Sequence, residues 1–321
     1  MHSRVAQCYN TNMINNVLIF VAAFLLVIKG ALLATKYAER LAENFHLSKY
    51  TVGFIIVAII SILPETFISI NAAIEGIPAF GLGMLFGSNI ADLTLVFAVI
   101  ILTAGRSLKV ESNVLKNRAY SFLLLLPLVL GLDGHFSRPE GMVLIIAGAI
   151  FYYITLKDGT DGSPYLHNGE GRIKNFLMLL LSMAILLVGA HFTVTSATAI
   201  AGYLGISPIL IGMLVVGLGT TMPELFFSLR SVKKDDDSLA IGDILGTVLA
   251  DATVVVGVLA LISPFAFPQK IIYITGAFMV AASFILFHVM RSGRTISKKE
   301  AYFLFFFWLM FVLAELMAMR G

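Results

Sequence analysis

A single cysteine, Cys8, stands among 321 residues, which excludes an internal disulfide and any cysteine-built metal cluster. Charge is scarce too. Asp, Glu, Lys and Arg make up 13% of the chain and hydrophobic residues 59%, where a soluble domain carries about 25% and about 45–50%. A formal net charge of only +3, with the basic residues confined to loops between apolar segments, offers no surface for nucleic acid. Such a chain needs lipid around it.

What is present in quantity is long apolar runs, consistent with a mean hydropathy of +0.93. Many approach the roughly 20 residues that cross a hydrocarbon core as a helix. Runs such as 122–130 and 303–312 are apolar on every side, which contradicts the alternation of a transmembrane barrel. The first run has no small-residue cleavage site with a polar start after Ala31 and is expected to stay as a span rather than act as a signal peptide.

Shifting the chain by 159 positions lays one half on the other without a gap. Gly30 falls on Gly189, Pro64-Glu65 on Pro223-Glu224, Ser69 on Ser228, Gly87 on Gly246, and Ala91-Asp92 on Ala250-Asp251. The pattern predicts an all-α polytopic membrane protein of ten transmembrane helices, at about 14–35, 47–74, 79–103, 114–132, 141–155, 176–200, 207–230, 239–263, 271–290 and 301–319. Five crossings per copy is an odd number, so the second copy enters from the opposite side and the halves form inverted repeats. The expected organisation is a first repeat at 1–157, a polar linker at 158–174 and a second repeat at 175–321. Of the 22 Lys and Arg residues, 17 fall on one side of this topology. That side is expected to be cytoplasmic, with the linker from Lys157 to Lys174 inside and both termini outside a cell membrane.

Carboxylates at bilayer depth are costly unless they face a cavity or a partner, so each is a functional candidate. Glu65 and Glu224 lie mid-span behind prolines in both copies, and Asp92 and Asp251 lie in the following spans. Pro64 and Pro223 disturb the preceding turn and are expected to free carbonyls near Ala58 and Gly217. Ser61 matches Thr220, Ser88 matches Thr247 and Ser69 matches Ser228, while Thr221 and Asn89 have no polar mates. Such an oxygen-only set suits a hard cation, Ca2+ or Na+. Two glutamates balance one divalent ion, and without it their repulsion favours monovalent ions or protons.

Ile59 to Glu65 followed by Gly87 to Asp92, and Gly217 to Glu224 followed by Gly246 to Asp251, resemble the paired alpha-repeats of the calcium/cation antiporter superfamily, and most resemble its prokaryotic sodium/calcium exchangers. The motifs occupy 58–92 and 217–251, and the likeness covers nearly the whole chain. It implies Ca2+ exchanged for Na+ by alternating access, without a cofactor, in a bilayer, with one copy sufficient. It implies that Glu65 and Glu224 are the metal ligands, joined by hydroxyls of Ser61, Thr220, Thr221, Ser88 and Thr247 and carbonyls of Ala58, Gly217 and Thr220, with Asp92 and Asp251 at the flanking positions. Ile60 and Ile62 replace the glycine and second hydroxyl that the family usually has, so one cation subsite is expected to be weaker. Acidic residues at both flanking positions keep H+ or K+ coupling as the alternative to Na+.

Other polar residues have plainer readings. Lys29 and His191 are not duplicated, and snorkelling or a local hydrogen bond is expected of them. Glu315 is expected to be solvated near the outer end of the last span, and 235–237 to be a hydrated loop. Asp243 aligns with Met84 and so has no acidic mate. An intramembrane aspartyl protease is the rival from another class, and Gly242-Asp243 lacks the earlier glycine of its motif. A passive channel is disfavoured, since a deep carboxylate pair holds a divalent ion too tightly for fast conduction.

Overall fold

The computed structural model describes residues 2–42, 52–111, 120–158 and 172–318. The greater part of the linker therefore lies outside the described residues, as do the starts of the expected second and fourth spans. Helix dominates. Among the described residues, eight helical stretches are long and apolar enough to cross a membrane, and two shorter apolar ones, Ala58–Ile74 and Tyr120–Leu130, accompany them.

The first helix, α1 (His2–Ala42), is followed by a π-helical stretch, Val52–Val57, then α2 (Ala58–Ser61) and α3 (Leu63–Ile74). A turn leads to α4 (Pro78–Ala91), the π-helical stretch Asp92–Val96 and α5 (Phe97–Ala104). After β1 (Leu108–Lys109) come α6 (Tyr120–Leu123), α7 (Leu126–Leu130), β2 (His135–Phe136) and α8 (Arg138–Asp158). The second half runs α9 (Arg172–Leu204), α10 (Pro208–Ile211), a π-helical Gly212–Val216, α11 (Gly217–Thr220) and α12 (Met222–Lys233). It continues with α13 (Asp237–Ala250), a π-helical Asp251–Val255, α14 (Val256–Ile262), β3 (Phe265–Ala266), a π-helical Ile271–Gly276, α15 (Ala277–Gly293), β4 (Thr295–Ile296) and α16 (Lys298–Ala318).

Local devices recur in the two halves. Both π-helical stretches after α4 and α13 start at an aspartate, and the Thr94 and Thr253 hydroxyls donate back to the carbonyls of Ile90 and Leu249. This back-bonding competes with the backbone ladder where the turn widens. Helices α8 and α16 are each 21 residues long and open with a capping box. Ser137 N and Oγ donate to Glu140 Oε2, both at 2.7 Å, and Ser297 N and Oγ donate to Glu300 Oε2 at 2.7 and 2.8 Å. Each box satisfies helix-start amides and fixes where the span begins. Antiparallel pairs tie the loops together, β1 to β4 and β2 to β3.

The core is α4 with α5 and α13 with α14, which are buried along most of their length, while α1, α8, α9 and α16 keep most of theirs outward. Outward faces carry Leu18, Leu25, Ile146, Leu181, Phe303 and Phe306, as helices do when the surrounding solvent is hydrocarbon. The halves interlock. Helix α4 packs on α10, on Gly212–Val216 and on α11, and α13 packs on Val52–Val57 and α2. Two glycines permit this: a Cβ on Gly87 would collide with the Met213 carbonyl, and one on Gly246 with the Phe54 carbonyl. Small residues let backbones approach where apolar driving force between helices is weak.

Three expectations are corrected here. Glu315 is not solvated: it is buried, and Thr275 Oγ1 donates to its Oε1, because α16 packs back on the Ile271–Gly276 stretch. The acidic run is not wholly a hydrated loop. Asp235 is exposed, but Asp237 opens α13, is buried, and takes both Arg106 guanidinium nitrogens at 2.8 Å and the Lys109 amide at 2.8 Å. The Asp237 contact raises the Arg106 pKa further above its already high value. Pro64 does not release the Ala58 carbonyl, which accepts the Ile62 amide at 3.0 Å. Proline removes the helical donor to the residue four earlier, and the carbonyls concerned, of Ile60 and Gly219, face the amides of Ile62 and Thr221 instead. Of the unduplicated pair, Lys29 lies on the exposed face of α1, and His191 Nδ1 stands 3.6 Å from Glu75 Oε1.

Candidate ion site

The two proline-broken helices place the glutamates. In the first half the chain turns at Ile62 between α2 and α3, and in the second at Thr221 between α11 and α12. Thr66 N donates to Ile62 O at 2.9 Å, and Leu225 N to Thr221 O at 3.0 Å, so both helices restart alike. Pro64 and Pro223 occupy helix-start positions, where a missing N–H costs nothing. Glu65 and Glu224 follow in the first turn, where the helix dipole favours negative charge.

The aspartates Asp92 and Asp251 directly follow α4 and α13, at the start of the π-helical stretches. Met84, Ser88 and Asp92 stand four residues apart along one helix, and Asp243, Thr247 and Asp251 along the other. Four-residue spacing puts each trio on one helix face. Because α4 abuts α11, the Ser88 backbone lies against Gly217, whose Cβ would meet Met84 O at 2.8 Å and Ser88 N at 3.0 Å. The matching approach sets Ala58 against Gly246.

Every residue expected at the site is buried: Glu65, Glu224, Ser61, Thr220, Thr221, Ser88, Thr247, Asp92, Asp251, Ala58 and Gly217. Several touch or face one another across the halves. The Thr220 side chain neighbours the Glu65 carboxylate from the opposite half. Glu224 stands in the field of Glu65, Asp92 and Asp243, and Asp251 in that of Glu65 and Asp92. The hydroxyls turn their protons to backbone: Thr220 Oγ1 donates to Gly217 O at 3.0 Å, Thr221 Oγ1 to Leu218 O at 2.7 Å and Ser88 Oγ to Leu85 O at 3.0 Å. Their lone pairs stay available, since a hydroxyl has one proton to give and two acceptor sites.

The carboxylates themselves are short of donors. Both oxygens of Glu224, both of Asp251, Glu65 Oε2 and Asp92 Oδ1 are buried without a hydrogen bond from the protein, as is Thr247 Oγ1. Burying a charged group without a partner costs far more than a neutral one, so these acceptors fit positive charge. Among the described residues no three His, Cys, Asp or Glu side chains gather at one point to hold a metal ion. A cation here takes its remaining oxygens from hydroxyls and carbonyls, as a hard ion with six to eight ligands can.

Asp243 had no signal in the repeat and is nevertheless at the site. It is fully buried and accepts the Ser61 hydroxyl at 3.0 Å on Oδ1. Only its depth in an apolar segment could have marked it. Asn89, also unduplicated, points its amide at Met279 Sδ, 3.6 Å away.

The sodium/calcium exchanger protein family matches residues 15–157 and again 174–317. The inner membrane protein YrbG of Escherichia coli is 29% identical over 261 residues, covering 74% of this chain and 79% of its own. Sodium/calcium exchanger MaX1 of Methanosarcina acetivorans is 25% identical, covering 92% of this chain and 97% of its own. A solved structure of the sodium-calcium exchanger NCX_Mj superposes with a TM-score of 0.69 at 26% identity, over 93% of this chain and 98% of that one.

Proposed function

The chain belongs to the sodium/calcium exchanger protein family, and from that premise we propose that it extrudes Ca2+ from the cytoplasm in exchange for Na+ by alternating access. It is a multi-pass membrane transporter of the cation-exchanger class and not an enzyme. The aspartyl protease reading falls with that.

In the proposed mechanism Glu65 and Glu224 hold the ion from opposite halves, and Asp92 and Asp251 flank it. Ser61, Thr220, Thr221, Ser88 and Thr247 complete the shell with the carbonyls of Ala58 and Gly217. The Ala58 carbonyl remains eligible because a carbonyl has a second lone pair. The observation that carries this reading is the set of fully buried acceptor oxygens on Glu65, Asp92, Glu224 and Asp251 that no protein donor meets. One Ca2+ neutralises two of those carboxylates. Removing it restores their mutual repulsion, which Na+ then relieves.

Ten crossings in two inverted repeats, 1–157 and 175–321 about a cytoplasmic linker at 158–174, are the proposed architecture. Ser137–Glu140 and Ser297–Glu300 boxes, paired glycine crossings and matched π-helical stretches support it. The two shorter pieces, Ala58–Ile74 and Tyr120–Leu130, belong to the second and fourth proposed crossings, whose starts lie outside the described residues. Both termini then face outward. One copy holds both glutamates, so a monomer suffices.

Asp92 and Asp251, both acidic and both buried, favour a second reading in which H+ or K+ accompanies or replaces Na+. Radiolabelled Ca2+ uptake into proteoliposomes tests both. The proposal expects uptake only against an opposing Na+ gradient. Uptake driven by H+ or K+ alone selects the second reading, and a leak that needs no counter-ion contradicts exchange.

A further inference from the structure

The acidic face of α13 is one helical turn longer than its counterpart. Asp243, Thr247 and Asp251 continue where α4 offers Met84, Ser88 and Asp92. Four residues of helix advance about 6 Å along the axis. The extension therefore lies on one side of the ion site only. Helix α13 begins at Asp237, beside Arg106, Lys109, Lys233 and Lys234, the basic end that positive-inside bias assigns to the cytoplasm. Asp243 thus stands between the central site and the cytoplasmic face.

Its surroundings tie it to the ion rather than to packing. Asp243 Oδ1 accepts the proton of Ser61 Oγ at 3.0 Å, across 182 positions of sequence and from the opposite half. That bond leaves both Ser61 lone pairs for a cation. Asp243 also acts electrostatically on Asp92 and Glu224. One turn away, Thr247 Oγ1 is buried with no hydrogen-bond partner in the protein, as are both Glu224 oxygens.

We infer that Asp243 and Ser61 form a cytoplasmic-side subsite for a hard cation, through which Ca2+ passes to and from the Glu65–Glu224 pair. The inference rests on the exchanger reading above. It makes the transporter asymmetric: a full additional negative charge helps Ca2+ on the cytoplasmic approach, while Met84 supplies none at the matched place. Affinity for cytoplasmic Ca2+ then depends on Asp243, and affinity for outer Ca2+ does not.

The test is Asp243→Asn, which keeps an acceptor oxygen for Ser61 and removes the charge. Na+-dependent Ca2+ uptake is measured in everted membrane vesicles for the cytoplasmic face, and in right-side-out vesicles for the outer face. The expected result is a KM for cytoplasmic Ca2+ raised about tenfold, as loss of one nearby charge in a low-dielectric site implies, with the outer KM within about twofold of wild type. Asp243→Ser, smaller and still able to accept, gives the same readout if the asparagine variant does not insert. An unchanged cytoplasmic KM, or an equal rise on both faces, overturns the inference. Glu224→Gln run in parallel separates the failures: if it abolishes exchange while Asp243→Asn is silent, the subsite fails and the exchanger reading stands.

Discussion

Glu65 and Glu224 each follow a proline that starts a new helix, and the buried oxygens that no protein donor meets, both of Glu224 and Oε2 of Glu65, fit a cation or a proton. Replacing either by Gln keeps size and hydrogen bonding but removes the charge. We expect Glu65→Gln and Glu224→Gln to lower counter-ion-dependent Ca2+ flux by at least about a hundredfold, equivalent to about 3 kcal/mol of lost ion binding, with thermal unfolding in detergent unchanged or raised. Ile62→Thr returns a hydroxyl beside Pro64 and is expected to steepen the dependence of flux on Na+; an unaltered Na+ curve counts against a role for that position. The burial of both glutamates was legible because duplication at a constant spacing in apolar spans is rarely an accident. Asp243 was not, since its mate is Met84 and only folding brings it to Ser61. The Ala58 carbonyl was misjudged for a simpler reason, the backbone bond from Ile62 that reforms before the proline.

At the scale of elements, the crossings of α4 with the Gly212–Val216 stretch, and of α13 with the Val52–Val57 stretch, hold the halves in register. Gly87 and Gly246 make them possible, with backbone rather than flexible side chain facing the absent Cβ. Gly87→Ala and Gly246→Ala should each destabilise by about 1–3 kcal/mol through overpacking, seen as a lowered melting temperature. At the basic end, Arg106 joins α5 to Asp237 and to the Val232 carbonyl, at 2.8 Å each. Asp237→Ala leaves that guanidinium without its buried partner and should cost about 1–3 kcal/mol. Span periodicity and the Ser-x-x-Glu starts of α8 and α16 could be read from residues alone. Pro64 and Pro223 marked the breaks at Ile62 and Thr221, whereas the widened π-helical turns could not be read, because they depend on a hydroxyl or a neighbouring helix competing for backbone donors and acceptors. The same holds for Glu315, whose partner Thr275 lies on a different element.

The whole molecule is two like halves that each lend helices to the other's surroundings, so an ion held as proposed at their crossing would touch both. Under the proposed opposite insertion of the halves, access from either face would be equivalent, and the inferred Asp243 subsite would break the equivalence. The orientation has its own check. In a Cys8→Ser background, Lys234→Cys should react with a membrane-impermeant maleimide only from the cytoplasm, and Lys270→Cys only from outside; the reverse pattern would invert the topology. The measurement that bears most directly on the account is equilibrium binding of radiolabelled Ca2+ to the purified protein and to its Glu65→Gln and Glu224→Gln variants. Saturable binding that Na+ displaces, lost in both variants, is the predicted result. Undiminished binding in either variant would contradict an ion held between the two glutamates.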